Sequence, residues 1–155
     1  FTRRTLWTLA LSQLDARYGW GGYKGGRDCS RLILDLFAVF GLRLGRHSSV
    51  QANAGVQSME VQDLSEADKL IAVKEAGLKG VVLLYMPGHI MLYLSNSNGR
   101  PFAVSSISEF LRPCADGEPQ VVRLDRVAVT DLELGRSTVR RSFIERLARM
   151  AVFHP

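Results

Sequence analysis

Between residues 29 and 40 apolar side chains recur every three or four positions. Leu32, Ile33, Leu36, Phe37 and Phe40 fall on one face of a helix, and Gly41 stops it. The same period runs through Trp7, Leu11, Leu14 and Tyr18, which predicts a helix over 5–17 with Thr2 or Thr5 as its cap. A short helix is expected over 65–76, with Ser65 as cap, Glu66 and Asp68 in its first turn, and Gly77 and Gly80 close behind. Residues 41–60 read as polar loop, with room for a helical turn around 50–57. From residue 80 the period changes. Val81 to Tyr85 is a continuous apolar, β-favouring run, and His89 to Leu94 is a second. Pro101 to Ser105 follows the hairpin signal Asn96-Ser97-Asn98-Gly99. Val121 to Leu124 and Arg126 to Val129 are further short strands, and Val139, Phe143, Leu147 and Met150 predict a closing helix over 138–150. Helices first, then consecutive antiparallel strands, make this an α+β chain: N-terminal helices packed on a central antiparallel sheet.

At 155 residues, 46% of them apolar, one domain spanning 1–155 with a substantial core is expected. No run approaches the roughly 20 apolar residues of a membrane-spanning helix. The chain starts at Phe1 rather than methionine, so it is expected to be a processed product or a domain excised from a longer protein. The net charge of +5 fits either a soluble basic surface or attraction to an anionic polymer. The basic residues are scattered, with no basic helix, zinc-finger spacing or basic–aromatic strand pattern, so nucleic acid is not an expected partner. Two cysteines cannot form a disulfide framework. Cys114, in a turn-like Arg-Pro-Cys-Ala-Asp-Gly stretch, reads as a bystander. No metal-ligand spacing links the cysteines and the three histidines, and no cofactor is expected.

Cys29 concentrates the chemical interest. A loop with five glycines between residues 18 and 28 delivers it to the first turn of the 29–40 helix. A helix N-terminus offers unpaired N–H groups and the positive end of the macrodipole, both of which favour the nucleophilic thiolate. Far downstream, His89 follows Pro87-Gly88 and opens an apolar strand. A cysteine at a helix start with a distant strand histidine is an arrangement suited to nucleophilic catalysis on amides. His47 and His154 read as a loop residue and a terminal residue.

Tyr18-x-Trp20-Gly21-Gly22, Asp28-Cys29-Ser30, Leu44-x-Arg46-x-Ser48-x-x-Gln51 and Gly88-His89-Ile90-Met91-Leu92-Tyr93-Leu94 occur in that order over about 80 residues. Together they resemble the NlpC family of bacterial cell-wall cysteine peptidases, closest to a branch whose members often carry SH3-like domains ahead of the peptidase domain. The resemblance implies a papain-like α+β fold, a monomeric domain in the bacterial periplasm, envelope or exterior, and hydrolysis of peptidoglycan stem peptides between γ-D-glutamate and a diamino acid through a Cys29 thioester. It implies Cys29 as nucleophile and His89 as base. Tyr18, Trp20, Asp28, Ser30 and Arg31 would receive the stem peptide, with Asp28 free to meet a substrate ammonium. The Cys29 N–H, assisted by the Tyr18 hydroxyl, would serve the oxyanion.

Three departures qualify it. Ser105 stands where relatives most often carry the histidine that orients the base. Arg31 replaces a small residue, where its guanidinium could bind a substrate carboxylate or shield the thiolate. Gly45 and His47 replace the usual proline and asparagine, which suggests a remodelled groove. The alternatives are a weakened or inactive module that binds wall peptide or a protein partner, and an amidase or acyltransferase of the same superfamily.

Overall fold

The computed structural model describes residues 1–115 and 117–154. Helix α1 (Arg3–Leu11) starts at a reciprocal capping box between Thr2 and Thr5. It ends earlier than the periodicity predicts. Leu11 and Leu14 are exposed, Asp15 adopts a φ of 64°, and Arg17 bridges to Arg126 instead. Helix α2 (Cys29–Ala38) buries Leu32, Ile33, Leu36 and Phe37, as its pattern requires. A single turn, α3 (Ser48–Gln51), and a short strand, β1 (Gln57–Glu60), occupy the stretch read as loop. Helix α4 (Glu66–Lys79) is capped by Ser65 and runs on through Gly77. There the helix backbone lies so close to the Tyr93 ring that a Cβ would come within 2.4 Å of it; the glycine fits packing, not a stop.

Strands β2 (Val81–Met86), β3 (His89–Ser97), β4 (Arg100–Arg112) and β5 (Gln120–Asp131) form an antiparallel meander. β4 is more than twice its expected length, and the two short strands expected after it are one, kinked at Asp125 (φ 47°). The closing helix is the main correction. Only α5 (Phe143–Arg146) is helical, restarted by a capping box between Ser142 and Glu145. Residues Arg149–Phe153 form β6, which enters the sheet between β1 and β2 to give the order β1-β6-β2-β3-β4-β5. Val139, the first residue of the apparent helical stripe, is 85% exposed, whereas Met150, Ala151 and Val152 are all buried at consecutive positions. Burial at every position is the signature of a strand covered on both faces.

The sheet is so covered. Val81, Leu83, Ile90, Leu92, Val104 and Ala151 meet α1 and α2 on one face. Val82, Leu84, Met86, Met91, Tyr93 and Met150 meet α4 and α5 on the other. Alternate residues of each strand therefore serve opposite cores. The start of β3 lies where the two layers diverge, with α2 on one side and α5 on the other.

Candidate active site

The glycine loop is folded back on itself ahead of α2. Gly19 and Gly26 pass backbone to backbone; a Cβ on Gly26 would come within 2.7 Å of the Tyr18 carbonyl. Only residues lacking a Cβ allow this crossing. It brings Tyr18 and Trp20 beside the N-terminus of α2.

Asp28 is the N-cap of that helix. Its carboxylate accepts from the Arg31 N–H at 2.8 Å and the Gly21 N–H at 3.1 Å. The Arg46 guanidinium grips both oxygens, at 3.1 and 2.5 Å, and Ser30 Oγ donates to Oδ1 at 3.1 Å. Burial by itself would raise the Asp28 pKa, but Arg46 and the two amides outweigh it and hold the carboxyl below its ordinary value. Gln51 completes the brace by donating to the Ser30 and Gly45 carbonyls at 2.8 Å each. The Leu44–Gln51 motif thus locks the start of α2. Arg46 and Gln51 received no role from the sequence, although both lie in that motif.

Asp28 and Ser30 are thus engaged with Arg46 and with each other at the start of α2, beside rather than in the lining of the cleft that holds the cysteine. Arg31 likewise lies outside that cleft's lining. Its guanidinium pairs with Asp35 at 2.8 Å and borders a separate hollow with Gly21, Gly22 and Arg46.

Cys29, His89, Tyr18 and Trp20 line one cleft of about 240 Å³, walled further by Pro87, Glu109, Phe143, Arg140, Arg141 and Arg146. Residues sixty positions apart in sequence therefore meet at one opening. His89 Nε2 lies 3.0 Å from Ser105 Oγ. Ser105 is 1% exposed, so the contact is sheltered from water. The Phe143 ring packs on the imidazole with centroids 5.4 Å apart. Trp20 stands 76% exposed at the rim. Cys114 is a second free thiol; neither it nor His47 nor His154 lines the cleft.

Electrostatics correct one expectation. The helix terminus was expected to lower the thiol pKa. Burial instead pushes it up, and the backbone N–H of Ile90 only partly offsets this; nearby Asp28 raises it further. Burial also pushes the His89 pKa down to about 4, and the Arg146 cation adds to the fall. The resting pair is thus a neutral thiol and a neutral imidazole. Burial and the neighbouring Cys29 and Asp28 raise the Tyr18 pKa, which keeps its hydroxyl a donor.

The NlpC/P60 family profile matches residues 15–110, well over half of the chain. This chain belongs to the NlpC/P60 family. Its fold is accordingly the papain-like α+β fold expected from the sequence. Over 96 residues it is 34% identical to proteins named probable endopeptidases in Mycobacterium tuberculosis and Mycobacterium bovis; the match covers 61% of this chain and 24% of theirs. The chain thus spans about a quarter of the length of these curated relatives. Among solved structures, an NlpC/P60 endopeptidase from Photobacterium damselae subsp. piscicida superposes with a TM-score of 0.76 at 20% identity, over 92% of this chain and 37% of that one. An NlpC/P60 family protein from Bacillus cereus gives a TM-score of 0.56 at 17% identity, over 100% of this chain and 41% of that one. Both likenesses are of fold. Among the described residues no helix is long and apolar enough to cross a membrane, and no cluster of histidine, cysteine and carboxylate side chains is arranged to hold a metal ion.

Proposed function

We propose that this chain is a cysteine peptidase of the bacterial envelope or exterior that hydrolyses peptidoglycan stem peptides at the γ-D-glutamyl–diamino acid bond. One observation carries the reading: a thiol and an imidazole line the same cleft, and Ser105 holds the imidazole by Nε2. With the Nε2–H donating to Ser105 Oγ, Nδ1 is the basic nitrogen. It takes the Cys29 proton as sulfur attacks the scissile carbonyl. The Cys29 N–H and the Tyr18 hydroxyl donate to the resulting oxyanion. The C–N bond then breaks, the imidazolium returns its proton to the leaving amine, and the thioester is hydrolysed by water. A neutral resting pair requires the proton transfer to accompany attack.

The experiment is digestion of purified peptidoglycan followed by mass analysis of the released fragments, with Cys29→Ala as control. New amino termini on the diamino acid, absent with the control, are expected. The second reading, a module that binds wall peptide without cutting it, draws support from the raised thiol pKa, which weakens the nucleophile at neutral pH. Recovery of intact wall fragments on the protein with no released products would establish that reading instead.

A further inference from the structure

Beside the catalytic cleft lies a second hollow of about 630 Å³, bordered by α4, α5 and the turn before β3. It shares Pro87, Arg141 and Arg146 with the cleft, but neither Cys29 nor His89 lines it. Three cations reach it from separate segments: Lys69 from α4, Arg141 from the loop before α5, and Arg146 from α5 itself. Lys69 is 3% exposed, a rare position for a lysine. Its ammonium donates to the Glu145 carbonyl at 2.9 Å, which takes one of its three N–H groups. Arg146 stacks on Phe143, its guanidinium carbon 5.3 Å from the ring centroid. Stacking engages the guanidinium face and meets none of its N–H donors. The Nε is buried without a hydrogen-bond partner among the described residues.

The carboxylates that border the hollow are engaged already. Glu66 is paired with Arg136. Glu145 accepts from the Ser142 amide at 2.7 Å and hydroxyl at 2.6 Å, and Arg141 approaches it at 3.6 Å. Burial and the Arg141 cation push the Lys69 pKa down, and the pull of Asp63, Glu145 and Glu66 does not restore it. Positive charge is therefore in excess here. Buried cations are costly unless an anion with hydrogen-bonding capacity meets them. A carboxylate offers two oxygens in one plane. A phosphoryl group offers oxygens in tetrahedral directions, which suits donors arriving from three segments.

We propose that Lys69, Arg141 and Arg146 form a binding site for a phosphoryl group, separate from the cleft that holds Cys29 and His89. Two sources present that group: free phosphate, and the phosphodiester of an anionic envelope polymer. The hollow has room for the groups on either side of a diester. Neither the thiol nor the imidazole takes part, so the site stands apart from the peptidase reading.

The test is an NMR titration of the nitrogen-15-labelled protein with inorganic phosphate and, separately, with glycerophosphoglycerol as a phosphodiester. Sodium chloride and sodium acetate at equal ionic strength are the controls. The Arg146 Nε–H signal, assigned with Arg146→Lys, should move saturably with the phosphoryl ligands and stay still with the controls. Lys69→Met should weaken the affinity about tenfold, as expected for one charge-assisted contact. Arg140→Gln, which alters the cleft but not the hollow, should leave it unchanged. The Arg146 signal is read on the unchanged protein, so a Lys69→Met chain that fails to fold conceals nothing. No movement, or equal movement with chloride or acetate, overturns the site. Affinity lost in Arg140→Gln but kept in Lys69→Met places the anion in the catalytic cleft and overturns it as well. Tighter binding of the diester assigns the polymer as source, and tighter binding of inorganic phosphate assigns the free anion. The Cys29→Ala protein should bind phosphate as the unchanged protein does, whatever the outcome of the peptidoglycan digestion.

Discussion

Protonating His89 should begin to destabilise this protein from the acid side before most of its carboxylates do. In the unfolded chain the imidazole takes a proton near pH 6.5, and in the folded state only near pH 4, because burial and then Arg146 disfavour the cation. The folded state therefore binds fewer protons over that window, and stability falls as pH falls. The contribution is fully present above about pH 6.5 and exhausted below about pH 4. The difference between the two pKa values corresponds to about 3 kcal/mol, of which about 2 kcal/mol is gone by pH 5. For a chain of this size that is roughly a 4–8 °C fall in Tm between pH 7.5 and 5. Asp28, held low by Arg46 and two amides, and Glu145, held low by Ser142, lose their own contributions toward the acid end of the range. The assay is urea unfolding at half-unit steps from pH 7.5 to 4.5, for the unchanged protein and for His89→Gln. Subtracting the two curves removes every titration except that of His89. Parallel curves would refute the argument, because they would mean that the ring titrates alike in both states. An NMR titration of the imidazole with an apparent pKa near 6.5 would refute it equally.

The remaining predictions concern the other parts of the site. Ser105→Ala should lower kcat on a stem-peptide substrate about five- to tenfold with KM little changed, since it removes one hydrogen bond that fixes the His89 tautomer. Arg46→Ala should cost about 2 kcal/mol in urea unfolding, because it strips the charged partner from buried Asp28 while the Arg31 and Gly21 amides remain. Alkylation of Cys29 by iodoacetamide should be slower at pH 7 than that of the unfolded thiol and should accelerate only as the solution becomes strongly alkaline; a fast, pH-independent rate across pH 6–7 would reveal a preformed thiolate–imidazolium pair instead.

Helices α1, α2 and α4 were legible because each carries its own signals: the Thr2 and Ser65 caps, and the apolar face of α2. The His89 strand and the hairpin after it were legible for the same local reason. What failed did so where neighbours decide. Gly77 reads as a helix stop, yet it is the place where Tyr93 packs on α4. Residues 138–150 show a helical spacing by coincidence, and the run Arg149–Phe153 becomes a strand because a gap between β1 and β2 takes it in.

Local pattern announced α2, α4, the strand opened by His89 and the family resemblance, and singled out Cys29, His89 and Ser105 as candidates, since caps, periods and short motifs are written within a few consecutive residues. Tertiary structure alone decided which polar groups are spent and which are free. Asp28 is held by Arg46 at the start of α2, and Arg146, part of an apparent terminal helix, comes to line the cleft with His89, its buried Nε without a partner among the described residues. The charge states followed the same rule. A helix terminus near Cys29 can be read from order along the chain, but the desolvation that outweighs it depends on how much protein surrounds the sulfur, and that is known only once both layers have closed over the sheet.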